Sequence, residues 1–323
     1  TSFLSYAGTA NLALGTGAGD ALTFGTGNTF IGDNSGLVTT TENYNTFVGV
    51  DTGQANASVN NTFIGAASGY SNTSGGDNTF LGFNSGYANT LGNYNTYLGS
   101  SAGASNIAGN NNVFVGRQAA GTTTSTSGSV IIGKEAASST AGVDNVTLIG
   151  YQAGQSVIGT DNTFVGYQTG LVNTSGQGNT FIGDSAGIAN LNGSSNIFMG
   201  AGAGSAKTSG SGSVIIGRSA GPASNTSSTY IGYPSGVVAT GVDNTFIGYQ
   251  TGSANSTGAY NTFIGDSAGN ANTTADYNTF MGTGTGALNT TGNWNTFIGA
   301  TAGAANTIGS QNTFLGLDAG YLN

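Results

Sequence analysis

Short apolar bursts recur along the whole chain, each closed by a glycine and followed by a longer run of small and polar residues. The stretch N-T-F-I-G-D-N-S-G (Asn28 to Gly36) is representative and returns almost unchanged from Asn179 and from Asn261. The closing glycine falls at 15, 32, 49, 65, 82 and so on to 316, nineteen units spaced by 17 residues with a few of 15 or 16. The unit reads N-T-F-[IVLM]-G-x-x-[AST]-G-x-x-N-x-x-G-x-x. A β-branched and aromatic burst ended by glycine predicts a short strand and a turn. A strand that short is stable only when stacked on its copy in the next unit, which gives a parallel ladder with strands ~4.8 Å apart. The pattern therefore predicts an all-β fold: a parallel β-solenoid, or β-roll, of about 19 coils of about 17 residues, stabilised by nearest neighbours. No composition shift marks a linker, so residues 1–323 read as one continuous repeat domain. A weaker five-coil super-repeat of 82–84 residues lies over it, for example in G-S-V-I-I-G at 128–133 and 212–217.

Within the strand, alternation places Thr29 and Ile31 on one face and Asn28 and Phe30 on the other. The small branched residues at the Thr and Ile positions (Ile31, Ile64) suit the narrow inside of a coil. Phe30, Phe47, Phe63 and Phe80 would then form a continuous aromatic stripe on the opposite face. Such a stripe far exceeds the apolar patch a soluble monomer leaves open. Either the coil folds flat and encloses the rings, or the rings meet partner chains around a common axis, and the second is the leading expectation. Asn28, Asn45, Asn61 and Asn78 form a ladder that suits hydrogen bonding between coils, a structural role rather than a binding one. Gly32 and Gly36 occupy turns expected to need positive φ or close backbone approach.

Composition narrows the chemistry. The 323 residues include 59 Gly, no Cys and no His, and only 5% are charged, with a formal net charge of -9. Four basic residues against 13 acidic ones do not suit phosphate neutralisation, which argues against a nucleic-acid partner. The absence of His and Cys removes the usual bases, nucleophiles and zinc ligands. Nineteen glycine-rich turns without a following helix or a phosphate-binding lysine do not make a phosphate loop. No apolar run is long enough for a membrane-spanning helix. No cofactor or metal is therefore expected, and no enzyme. Asp33, Asp184 and Asp266, with Asp77, Asp161 and Asp243, are expected at outward turns as solvated charge. Arg117, Lys134 and Arg218 share the position after the closing glycine with Tyr151, Tyr167, Tyr233 and Tyr249, where aromatic rings beside polar groups could engage sugars. Asn72 and Asn289 stand in Asn-x-Ser/Thr sequences that glycosylation could use.

The residues S-V-I-I-G (Ser129–Gly133 and Ser213–Gly217), followed by Ala136 and Ala220, resemble the head repeats of trimeric autotransporter adhesins. N-T-F-I-G-x-x-A-G repeats are similar to those of related bacterial surface and phage tail-fibre-like proteins. The resemblance implies a left-handed β-roll, three chains side by side, and display outside the cell. The 17-residue period and the strand Phe depart from the adhesin pattern. At the ends, Thr1–Ser5 reads as a degenerate repeat strand, and Asn323 falls partway through a coil. Phe3, Leu4, Phe314 and Leu315 are therefore candidates for end-to-end contact in a filament. The expected function is a structural extracellular fibre subunit, a homotrimer and/or a head-to-tail filament. The alternative is an adhesin head or tail-fibre module that recognises glycans or a host surface. An ice-binding role ranks behind both, because it needs flat outward Thr rows and Thr is expected on the inside with Ile.

Overall fold

The structure, a computed structural model, describes residues 3–4, 10–221 and 226–323. The chain divides into two compact units, residues 1–162 and 163–323. Unit one contains β1 (Phe3–Leu4), β2 (Leu12–Leu14), β3 (Thr29–Ile31), β4 (Thr46–Val48), β5 (Thr62–Ile64), β6 (Thr79–Leu81), β7 (Thr96–Leu98), β8 (Val113–Val115), β9 (Val130–Ile132) and β10 (Thr147–Ile149). Unit two contains β11 (Thr163–Val165), β12 (Thr180–Ile182), β13 (Ile197–Met199), β14 (Val214–Ile216), β15 (Thr229–Ile231), β16 (Thr245–Ile247), β17 (Thr262–Ile264), β18 (Thr279–Met281), β19 (Thr296–Ile298) and β20 (Thr313–Leu315). From β2 to β10, and from β11 to β20, each strand pairs in parallel with the next in strict register: Thr29 beside Thr46, Phe30 beside Phe47, Ile31 beside Val48. No helix occurs among the described residues. Each unit is thus an all-β parallel solenoid of regular coils of about 17 residues.

The inside of the coil is the face carrying Asn and Phe. Phe30, Phe47, Phe63 and Phe80 are 0% exposed, enclosed by their own chain. The expectation that these rings face partner chains, with Thr29 and Ile31 inside, is overturned. Ile31 is half-buried and Ile64 is 37% exposed on the outer face. The physical reason lies in the wall opposite the strand. A Cβ on Gly36 would sit 2.9 Å from the Phe30 ring, so the second glycine of the unit is the floor on which the ring rests. The coil folds flat, and one ring spans it. Successive rings stack: Phe47 to Phe63 at 4.9 Å, Phe63 to Phe80 at 4.7 Å, Phe80 to Tyr97 at 4.7 Å. Such pairs contribute about 0.5–1.5 kcal/mol each beyond the apolar area they bury.

Asn28 shares that interior. The Asn45 N–H donates to Asn28 Oδ1 at 2.9 Å, Asn61 N–H to Asn45 Oδ1 at 3.0 Å, and Asn78 N–H to Asn61 Oδ1 at 3.0 Å. Their Nδ2 groups donate to backbone carbonyls of the facing turn, as Asn78 does to Gly92 O at 2.8 Å. The second Asn of the unit forms another buried ladder: Asn72 Nδ2 donates to Asn56 Oδ1 at 2.6 Å, and Asn89 Nδ2 to Asn72 Oδ1 at 2.8 Å. These amides satisfy turn backbone that water cannot reach. Gly32 (φ +131°) and Gly36 (φ +61°) have left-handed backbone, and a Cβ on Gly32 would run into the Gly49 carbonyl of the next coil.

β1 departs from expectation. It pairs antiparallel with β2, Phe3 beside Leu14 and Leu4 beside Ala13, rather than stacking as another coil. Phe3 precedes Ala13 by too few residues to close a full turn, because a parallel crossover needs a dozen or more. The rest of the Thr1–Ser5 reading lies outside the described residues.

Candidate functional surface

Because Phe points inward, each strand presents its first and third residues outward. In unit two the first positions of β15 to β20 are Thr229, Thr245, Thr262, Thr279, Thr296 and Thr313, six threonines in register. The third positions beside them are Ile231, Ile247, Ile264, Met281, Ile298 and Leu315. Unit one repeats the arrangement over β3 to β7, from Thr29 and Ile31 to Thr96 and Leu98. Most of these side chains are half-buried, and none is charged.

The coils beneath this face repeat at a regular spacing. The rings on the inner side of β16 to β19 stack at 4.9, 4.8 and 4.9 Å with their planes within 4–7° of parallel, while Tyr230 of β15 and Phe246 of β16 lie 5.4 Å apart and tilted by 58°.

Threonine hydroxyls elsewhere bond to the chain. Thr251 Oγ1 donates to Gly265 O and Thr285 Oγ1 to Gly299 O, both at 2.8 Å, and Thr273 Oγ1 to Thr290 O at 3.1 Å. Among the described residues the outward hydroxyls of Thr229, Thr245, Thr262, Thr279 and Thr296 have no hydrogen-bond partner and are left to solvent.

The position after the closing glycine holds three of the four basic residues, Arg117, Lys134 and Arg218. In unit one, Arg117 Nη2 lies 2.8 Å from Glu135 Oε1 and Lys134 Nζ lies 3.5 Å from the same oxygen. Gln152 Nε2 donates to Glu135 Oε2 at 3.0 Å. That hydrogen bond first, then the charges of Lys134 and Arg117, hold the Glu135 carboxyl below its ordinary range. Beside it is a cavity of about 310 Å³ lined by Gln118, Thr122, Glu135, Ser138, Ser139 and Gln155, with Ser101 and Gly121. It offers hydroxyls, amides and one carboxylate. Lys134 Nζ sits 5.3 Å above the Tyr151 ring, and Arg218 stands 5.8 Å over Tyr233. Tyr233 and Tyr249 are 6.3 Å apart and tilted by 46°, so they do not form a shared flat platform. Tyr167 is 50% exposed.

Asp33, Asp184 and Asp266 are exposed at the turns. Asp33 accepts from Thr16 N–H at 2.9 Å, and Asp184 and Asp266 accept from the neighbouring Ser185 and Ser267 hydroxyls at 2.6 and 2.7 Å. Asp77 accepts from Asn60 Nδ2 at 3.0 Å, and Asp161 from Thr160 Oγ1 at 2.9 Å. Among the described residues no three carboxylates gather into a metal-binding cluster. Asn72 and Asn289 are fully buried in the second ladder, which puts their amides out of reach of glycosylation. At the far end of unit two, Phe314 stacks on Phe297 at 4.8 Å, Leu315 is 75% exposed, and β20 pairs with β19. For Phe3 and Leu4 the structure describes the backbone pairing alone.

No protein-family model matches this chain, and no curated protein matches it. Sequence reasoning missed the outward Thr face, although a signal for it was present. Asn and Phe share a face, and an amide ladder stabilises most where water is excluded, so the face with Asn should be the interior.

Proposed function

We propose that this chain is a structural, non-catalytic repeat protein of the extracellular fibre type, acting through stiffness and an extended regular surface. The observation that carries this reading is the enclosed ladder system within each unit, rings and amides recurring in most coils. The S-V-I-I-G repeats that resemble adhesin heads support the same reading and an extracellular setting. Self-association of such solenoids into a filament is the assembly this reading predicts. Light scattering with electron microscopy across a concentration series tests it. Filaments that lengthen with concentration are expected. Particles of fixed mass at every concentration would refute that assembly.

A second reading, glycan recognition, has one observation in its favour, the polar cavity beside Glu135 in unit one. A glycan array separates it from the first: a fibre subunit alone gives no signal, and a glycan reader loses its signal in Glu135→Gln.

A further inference from the structure

We infer that the outward Thr–Ile face of the solenoid is an ice-binding surface. The Thr–Ile sheet face has no partner among the described residues. Side by side, the Ile, Leu and Met residues of successive strands form a longer apolar strip than soluble proteins ordinarily leave open. What covers it must accept three features. The first is the threonine row, six hydroxyls in strict register from Thr229 to Thr313, those of Thr229 to Thr296 unused by the chain. If the face existed only to pack against a second copy, valine would serve as well and would bury no unpaired hydroxyl. The second is the lack of charge: the chain carries a net charge of -9, and none of it stands on these two rows. A charged surface, a nucleic acid or an anionic membrane would demand the opposite. The third is spacing: the rings beneath β16 to β19 repeat every 4.8–4.9 Å with their planes nearly parallel.

A row in register at that repeat is close to the oxygen spacing along the a axis of hexagonal ice. Each threonine supplies a hydroxyl that anchors one water and a methyl that cages its neighbours. The Ile, Val, Leu and Met methyls beside them keep that layer from hydrogen-bonding into bulk liquid. The side chains are β-branched at Thr and Ile, so few rotamers need to be frozen on adsorption. The stacked rings beneath hold the backbone still. The inference is independent of filament formation, since it needs only a folded unit.

The experiment measures crystal shaping, freezing hysteresis and partition into slowly grown ice for the full chain and for variants. Thr262→Tyr and Thr279→Tyr place bulk in the middle of the row, at half-buried outward positions that leave the core untouched. Leu288→Tyr places the same bulk on another side of the coil, at a residue 53% exposed. Thr262→Val keeps shape and removes the hydroxyl. The wild type and Leu288→Tyr are expected to shape ice and enter it. Each Tyr variant in the row should need a roughly tenfold or higher concentration for the same effect, the size of loss seen at the centre of a contact surface. Thr262→Val should fall between. Circular dichroism and melting temperature confirm that every variant is folded. A folded wild type excluded from ice, or Tyr variants as active as Leu288→Tyr, would overturn the inference. So would a dimer that the row variants dissolve, because the face would then belong to a second copy.

Discussion

Two stretches of this molecule solve the same packing problem in opposite ways. Around β16 to β19, Phe246, Phe263, Phe280 and Phe297 fill the coil, and Asn244, Asn261, Asn278 and Asn295 run beside them, the N–H of the last three donating to the preceding Asn Oδ1 at 2.9–3.0 Å. Around β9 and β10 the ring gives way to Ile131 and Leu148, and the Asn position to Ser129 and Val146. The second Asn position becomes Thr140 and then Val157, the third turn glycine becomes Val143, and the floor glycine becomes Ala137. All of these are 0–3% exposed. One aromatic ring and two amide ladders have been exchanged for several aliphatic side chains of similar total volume. Ser129 keeps part of the ladder, since Val146 N–H donates to its Oγ at 3.2 Å; Val146 offers no acceptor and the ladder stops there. The coil therefore demands filled volume and a satisfied backbone rather than an aromatic ring as such.

The largest effect is expected at the ring. Phe280 is 0% exposed and stacked on both sides, so Phe280→Ala should cost about 3–5 kcal/mol, read from the urea midpoint. A loss under about 1 kcal/mol would mean that the stack is incidental.

A smaller effect tests whether the two solutions are interchangeable. Ile131→Phe alone puts a ring over the Ala137 methyl and should destabilise by about 1–3 kcal/mol. Ala137 has φ +48°, so glycine fits there without rearrangement, and Ile131→Phe with Ala137→Gly should recover most of the loss. Equal stabilities for the single and double variants would separate the floor residue from the ring.

The smallest effect is expected at a third place, the coil of β13. Here Phe198 is kept, but Lys207 stands in the second Asn position, fully buried. The Asn190 Nδ2 of the preceding coil has no partner. Burial pushes the Lys207 ammonium down from 10.5 to about 8. Lys207→Asn places an amide oxygen where Asn190 can donate and should stabilise by about 1 kcal/mol at pH 7. Between pH 8 and 10.5 the unfolded chain holds the lysine proton more tightly than the folded one, so wild-type stability rises with pH there. The advantage of the variant should shrink over that window and be largest below pH 8. Melting temperatures at neutral and alkaline pH measure it, and an advantage that grows with pH would contradict the buried-amine account.

Tyr97 shows how a single atom redirects a ladder. It stacks in the ring column, and its hydroxyl accepts from Asn106 Nδ2 at 2.8 Å. Burial raises that hydroxyl well above its ordinary range. With the Asn106 amide drawn away, Asn89 Oδ1 is left without the donor that Asn56 and Asn72 receive from the coil after them. Nothing in the repeat pattern would announce this, because Tyr and Phe are equivalent to a reading of periodicity.

Period, strand position, turn glycines and the pairing of each unit with the next were legible in the amino-acid order, because short β-branched bursts at fixed spacing have few other ways to bury themselves. The same order placed Asn28 with Phe30 and Thr29 with Ile31, since side chains alternate along any strand. Alternation does not say which face is the inside. Both faces of N-T-F-I-G carry apolar side chains, and the choice between them rests on what lies across the coil, several residues on. Only the closed turn brings Gly36 against the Phe30 ring and the facing carbonyls within reach of the Asn amides. That closure put the rings in the core and the threonines in the solvent.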